Sequence, residues 1–429
     1  MTDLERVEIE GFKGLEYVEF EPTDINLITG RNNTGKTSFL EAVDLLFNPA
    51  NLQEFGDNLG SVINTEFDYA KIHGETELAP TETKIRHPSA SKAAEVFYEI
   101  ASRTGGFQMS LTQFTTKEKV EPHSDEVTTD APKKIYEDIR NSLINNIKEK
   151  LSVGPIDGLQ DEILLLSTAD REFPCFIGGK QSTSLMRDIL EGVVEEFRES
   201  ENIDDFGFYH NQRGPRAYFE FSSRRIELGL PPENTLVDQP EPTDSTTFIE
   251  STNLTEDIER TDDEQEPIKI DDISDYIKEV GLVDDLKTFT LEYLVFQDDR
   301  GEKDQIPYDF MGDGFKSIVG LLWELMDDEI EDQIVLIEEP ENHMHPGYVR
   351  EMVYFLIDLA REENVQLFIT THDSDFINDF FTENLTDDEE AYLKDEFSLL
   401  RMEEDSAVVE DYETARENLK EHHLDLRGI

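Results

Sequence analysis

The chain of 429 residues contains a single cysteine, Cys175. One thiol excludes an intrachain disulfide and any all-cysteine metal site. Long apolar runs are also missing: none reaches the about 18 residues of a membrane-spanning helix. No membrane association is therefore expected. Met1 to Glu10 holds three glutamates and an aspartate and lacks the apolar stretch of a signal peptide. The expected location is the cytoplasm.

Positive charge is scarce. Lys and Arg number 38 against 99 Asp and Glu, a formal net charge of -61. Such self-repulsion opposes compaction at ordinary ionic strength. In molar salt the Debye length falls to about 3 Å and the penalty largely disappears. The acids are spread along the whole chain, as expected for a protein of a halophile with a salt-rich cytoplasm. The plainer alternative is an ordinary acidic protein carrying a disordered acidic insert. Acidity on this scale argues against nucleic-acid binding only weakly, because a global adaptation would hide a local basic patch. Hydrophobic residues still make up 37% of the chain despite a mean hydropathy of -0.54, enough for a core.

Apolar periodicity is strongest near the two ends. Val7 to Ile9, Tyr17 to Phe20 and Ile25 to Thr29 predict strands, and Thr37 to Phe47 has helical spacing. Thr65 to Tyr69 and Val96 to Ile100 alternate as strands would, with Gly105-Gly106 as a turn. Helices are predicted over Ile135 to Leu151, Leu185 to Phe197 and Ile273 to Leu294, the last interrupted near Gly281. The polar stretch from about 231 to 266 reads as a linker, loop or surface excursion. Strong patterning then returns: a helix over Lys316 to Met326, a strand over Ile334 to Ile337, a helix over Tyr348 to Ala360 and a strand over Val365 to Thr370. A hairpin (Phe397 to Met402, Ala407 to Val409) and a terminal helix follow. Alternating strands and helices indicate an α/β fold with a mostly parallel sheet.

Gly30-Arg31-Asn32-Asn33-Thr34-Gly35-Lys36-Thr37 fits the P-loop pattern G-x-x-x-x-G-K-[ST], with a strand before it and a helix after it. Its glycines let backbone N–H groups wrap phosphate, and the helix start at Thr37-Ser38 adds donors and a favourable dipole. Lys36 would reach the β and γ phosphates of ATP, and the Thr37 hydroxyl would ligate Mg²⁺. Glu338 and Glu339 follow the strand Ile334 to Ile337, where ligands bind in such sheets. Adjacent residues point apart, so the two need different tasks: Glu338 for Mg²⁺ and Glu339 for the attacking water. With so many acids in the chain, a solvent-facing pair is the competing reading. His372 follows the strand ending at Thr370 and could sense the γ phosphate; a surface histidine is the plain alternative. His343 and His345 lack a further ligand at zinc spacing. Met311 to Lys316 opens a helix with Gly312 and Gly314, a weak anion-binding signal by itself.

These pieces together resemble the ABC-type ATPases of the SMC, RecF and OLD group. The likeness lies in Ile9 to Gly14, in the loop Gly30 to Thr37, in Ile337-Glu338-Glu339-Pro340-Glu341-Asn342-His343-Met344-His345-Pro346, and in Thr370-Thr371-His372-Asp373. It covers roughly residues 1–50 and 305–376. The resemblance implies a P-loop NTPase of ABC/SMC-head type, with a mixed sheet flanked by helices and a central α+β insertion. Residues 1–114 and 291–429 would form the two halves of the ATPase core and 115–290 the insert. Glu339, His372 and Lys36 would carry catalysis. Gly312 and Gly314 would occupy the signature position, which in this group closes over ATP held by a second subunit. A homodimer on ATP binding follows. The match departs from the group where Phe310 and Met311 stand in place of a serine before Gly312, and where Glu338 replaces a commoner aspartate. Gln108 and Gln113 are candidates for a Q-loop glutamine. No Toprim domain is expected in the fewer than sixty residues after His372.

The function expected is ATP hydrolysis coupled to dimerisation, in DNA maintenance or genome defence. The alternative is a slow regulatory module controlling a separately encoded nuclease or other effector. Arg213, Arg216, Arg224 and Arg225 form the one candidate DNA-contact patch, with salt-paired structural arginines as the competing reading.

Overall fold

The computed structural model describes residues 3–76, 78–103, 156–169, 171–199, 234–237, 246–250, 266–297, 300–326, 330–403 and 406–427, with a few isolated positions between them. Gln108, Gln113, the four arginines of the candidate patch, the Gly105-Gly106 turn and nearly all of the helix expected over 135–151 lie outside the described residues.

In chain order the elements are β1 (Leu4–Phe12), β2 (Leu15–Phe20), β3 (Ile25–Gly30), α1 (Lys36–Phe47), β4 (Tyr69–Thr76), β5 (Thr81–Arg86), α2 (Ala90–Arg103), β6 (Ile163–Ser167), β7 (Glu172–Phe176), α3 (Lys180–Glu199) and β8 (Thr235–Leu236). They continue as β9 (Thr246–Glu250), α4 (Glu266–Glu279), β10 (Leu286–Phe289), β11 (Tyr293–Gln297), β12 (Lys303–Pro307), α5 (Asp313–Leu325), β13 (Ile334–Glu338), α6 (Pro346–Glu363), β14 (Gln366–Thr370), α7 (Ser374–Asp379), α8 (Asp387–Glu396), β15 (Phe397–Met402), β16 (Ala407–Asp411) and α9 (Tyr412–Lys420).

Two compact units are formed, one from Met1–Pro49, Asn64–Thr83 and Glu241–Ile429, the other from Ala50–Ile63 and Lys84–Pro240. The first holds a six-stranded sheet in the order β16-β15-β3-β14-β13-β9. β15, β3, β14, β13 and β9 run parallel, and β16 closes the edge antiparallel to β15. β3 and β14 are buried throughout and β13 up to its last residue, as expected for parallel strands covered on both faces. On one face Phe39 of α1 meets Phe20 and Phe368, with ring centroids 6.0 and 6.3 Å away. On the other, Leu27, Val335, Ile337, Leu367 and Ile369 share a core with Leu322, Val353 and Leu356 of α5 and α6. β1 pairs antiparallel with β2 and β4, and β10, β11 and β12 form a separate antiparallel sheet.

In the second unit β5, β6, β7 and β8 pair antiparallel in that order. The Glu162 carboxylate accepts from the Gln181 and Ser182 backbone N–H groups, each at 2.7 Å, and so caps α3. Cys175 is buried here, which pushes its thiol up to about 12.

Four expectations are corrected. Val96 to Ile100 is helix, not strand: Ala93, Val96, Phe97 and Ile100 are buried at helical spacing on α2. Thr65 to Tyr69 is mainly a turn leading into β4. The helix expected over Ile273 to Leu294 ends at Glu279, Gly281 adopts φ +65°, and β10 and β11 follow. Within the polar stretch 231–266, Thr246–Glu250 is β9, a strand of the main sheet paired along β13. Neighbouring β13 supplies the ladder that the sequence of β9 alone does not advertise.

Candidate functional site

The parallel register brings the carboxyl ends of the core strands to one edge. Glu338 lies opposite Thr370 on one side and Glu250 on the other. Thr370 pairs with Ile28, two residues before Gly30. This edge is where an open α/β sheet receives ligands.

The loop after β3 is shaped by positive φ values at Gly30 (+150°), Asn33 (+66°) and Gly35 (+93°). A Cβ on Gly30 would lie 2.5 Å from the Met402 carbonyl oxygen and 2.6 Å from Thr34 Oγ1, and one on Gly35 would strike Leu15. Only glycine fits either place. Arg31, Asn32 and Asn33 are exposed at the tip, Thr34 Oγ1 donates to the Arg31 carbonyl (2.9 Å), and Ser38 is half-buried in the first turn of α1. No side chain caps the start of α1, so its first N–H groups face the loop.

Lys36 is 6% exposed, and its Nζ donates to the carbonyls of Gly30 (3.1 Å) and Arg31 (3.2 Å). Burial lowers its affinity for a proton, while Glu339, Glu341 and Glu338 oppose that shift. A phosphate can replace the loop carbonyls as partner of this ammonium. The Thr37 hydroxyl donates to Glu338 Oε1 at 2.5 Å, joining residues 301 positions apart. Hydroxyl and carboxylate oxygens are hard donors that suit Mg²⁺, which is usually held by few protein groups plus phosphates and waters. Among the described residues no three His, Cys, Asp or Glu side chains form a cluster able to hold a metal by themselves. The residues present therefore fit a magnesium–nucleotide rather than a protein-caged ion.

Glu339 adopts left-handed backbone at φ +44°. Its N–H donates to the Thr370 carbonyl (3.0 Å), which turns the side chain away from Glu338. Oε1 of Glu339 lies 3.0 Å from His372 Nδ1, and Oε2 accepts from the Asn342 side chain at 3.1 Å. His345 caps α6 by accepting from the Gly347 N–H.

The structure thus gathers residues 30–38, Glu338, Glu339 and His372. Gly312 and Gly314 sit at the start of α5. Gly312 is exposed with open space around it, whereas a Cβ on Gly314 would lie 2.6 Å from the His343 carbonyl oxygen. Phe289, Tyr308 and Phe315 pack edge-to-face beneath this loop, leaving Phe310 80% exposed.

Sequence reasoning overlooked two carboxylates. Glu250 reaches this edge only through β9. Glu341 stood in plain view in the Glu-Glu-Pro-Glu run, yet it is 6% exposed. Burial pushes it up to about 7; nearby Glu339 acts in the same direction, and the Thr371 hydroxyl and His372 oppose.

A parallel sheet whose first loop is a P-loop, with acidic and histidine groups at the neighbouring strand ends, defines an α/β P-loop NTPase. Residues 3–377 match the AAA ATPase domain family, and the chain belongs to it. Two DNA replication and repair proteins RecF are similar over a shorter stretch. The one from Nitrosococcus oceani is 28% identical over 28% of this chain and 29% of its own length. That from Stutzerimonas stutzeri is 28% identical over 30% and 35%. The matches thus span about a third of those relatives. Among solved structures, the SMC head domain from Thermotoga maritima aligns over 95% of this chain and 98% of its own, with 9% identity and a TM-score of 0.43. An Smc head domain bound to the C-terminal domain of ScpA, from Pyrococcus furiosus, aligns over 99% and 100%, with 10% identity and a TM-score of 0.42.

Proposed function

We propose that the chain hydrolyses ATP with Mg²⁺ and that ATP binding draws two copies into a head-to-head homodimer. The observation that carries this reading is the joining of both halves of the site: Thr37 to Glu338 at 2.5 Å and Glu339 to His372 at 3.0 Å. Lys36 and the loop N–H groups bind the phosphates, and Thr37 and Glu338 hold Mg²⁺. Bound Mg²⁺ would supply neutralisation of phosphate charge. Glu339, oriented by His372 and Asn342, takes the proton from the attacking water. Gly312 and Gly314 are assigned to closing the site of the second copy.

Turnover by wild type and Glu339→Gln, with size analysis in ATP, tests this. The Gln variant should retain nucleotide binding, lose on the order of a hundredfold or more in turnover, and accumulate as dimer. Turnover at the wild-type rate would refute the role of Glu339.

The biological setting we infer is DNA maintenance or defence, supported by the similarity to RecF. Stimulation of turnover by single- or double-stranded DNA checks it. A second reading, a slow switch controlling a separate effector, is favoured by the start of α5: Phe310 and Met311 stand where the resemblance implies a serine before the glycine, Phe310 is exposed, and Gly314 packs against the backbone of His343. Turnover indifferent to DNA but responsive to a co-purifying protein would support that alternative.

A further inference from the structure

His372 has no scaffold of its own. It sits in the short connection between β14 and α7 and is half exposed. Its two neighbours are fixed. The Thr371 N–H donates to the Ile28 carbonyl (3.0 Å), and the Asp373 N–H donates to Thr371 Oγ1 (3.0 Å). Asp373 in turn caps α7 through the N–H groups of Asp375 and Phe376. The same Thr371 hydroxyl donates across to Glu341 Oε1 at 2.5 Å. Glu341 belongs to the turn after β13, two residues beyond Glu339, and its carbonyl accepts from the Met344 N–H at 3.0 Å. One buried hydroxyl–carboxyl contact thus ties the strand end bearing Glu339 to the connection bearing His372.

We propose that Glu341 and Thr371 form a clasp that sets the separation of Glu339 and His372, acting as positioning residues for hydrolysis. The clasp is an expensive way merely to fill space. Thr371 is fully buried, Glu341 is 6% exposed, and Glu341 Oε2 has no hydrogen-bond partner. A buried polar atom left unsatisfied costs stability, and an apolar pair of the same shape would avoid that cost. What an apolar pair cannot do is fix direction. The hydroxyl donates to one side and accepts Asp373 N–H on the other, so moving either segment strains both bonds. The charged groups facing Glu341 are Glu339 on its own turn, His372 after β14 and Lys36 on α1.

The proposal rests on the hydrolytic reading of this site, and its test separates the two. Steady-state turnover, nucleotide affinity by titration with a fluorescent ATP analogue, melting temperature, and the NMR signal of the His372 imidazole (assigned by loss in His372→Gln) are measured for wild type, Thr371→Val, Thr371→Ser, Glu341→Ala and Glu341→Gln. Thr371→Val keeps the shape and removes the hydroxyl, so it remains informative where Glu341→Ala fails to fold. Thr371→Val and Glu341→Ala should lose on the order of tenfold to a hundredfold in kcat. Their nucleotide affinity should stay within about threefold, because the interaction matters after binding. Thr371→Ser and Glu341→Gln, which keep donor and acceptor, should restore the rate, and the His372 signal should shift only in the two damaged variants. An unmoved His372 signal in Thr371→Val, or rates that fall only as far as the folded fraction does, overturns the clasp. If Glu339→Gln turns over at the wild-type rate, the hydrolytic reading fails instead, and the His372 signal alone then decides the clasp.

Discussion

Glu341 shows how far one residue's surroundings can depart from its apparent chemistry. In sequence it is one acid among 99; in the fold it is buried and pushed up to about 7 from an ordinary 4.5. The folded-state value lies above the unfolded one. Its contribution to stability is therefore full below about 4.5 and is lost as pH climbs to about 7, about 3 kcal/mol in all. Glu341→Gln abolishes that dependence. Its melting temperature relative to wild type should rise between about pH 5 and pH 8, and a constant difference would mean that Glu341 is ionised when folded. Glu338 and Glu339 teach a related lesson. Their adjacency was legible, and the need for separate tasks followed from it. Their partners, Thr37 for one and His372 with Asn342 for the other, were not, because each contact crosses the chain.

At the scale of elements, legibility follows burial pattern. β13 announced itself as an unbroken apolar run, and β3 and β14 as apolar runs carrying only Asn26 and Gln366 before their terminal threonines, because both faces are covered. α2 was misread because its apolar residues also fit a half-alternating strand over five positions; only its full length separates the two periods. β9 was overlooked altogether. Thr246-Thr247-Phe248-Ile249-Glu250 sits in a proline-rich acidic stretch, and its strand identity comes from pairing with β13 and from Asn48 of the α1 C-terminus, which donates to Thr246 Oγ1 at 2.5 Å. Ile249 is its buried anchor at 4% exposure. Ile249→Ala should cost about 2–5 kcal/mol by urea unfolding. Because Glu250 and Glu338 share this register, the variant should also weaken nucleotide binding. Unchanged stability would show that β9 is dispensable to the sheet.

For the molecule as a whole, the net charge of -61 predicts a stability that depends on salt. Several basic groups of the first unit are spent on acids: Arg6 contacts Glu8, Glu19 and Glu75, and Arg401 contacts Glu403 and Glu410. The remaining acids repel one another over distances that salt screens. Helical circular dichroism and melting temperature should fall as KCl is lowered from molar to about 0.1 M and recover when it is restored. Stability indifferent to salt would remove the halophilic reading. No helix among the described residues is long and apolar enough to cross a membrane.

The sequence by itself determined the parallel α/β class and named Lys36, Thr37, Glu338, Glu339 and His372 as candidates for the site. These depend on local rules: glycine where φ is positive, apolar runs where both faces are covered, and phosphate chemistry at a helix start. Tertiary structure alone decided that Glu250 joins the same edge, that Glu341 is a buried carboxyl holding Thr371, and that Gly314 packs against His343. Each of those depends on which strands become neighbours and on what water is excluded. Residues distant in the chain settle both, and no local pattern records them.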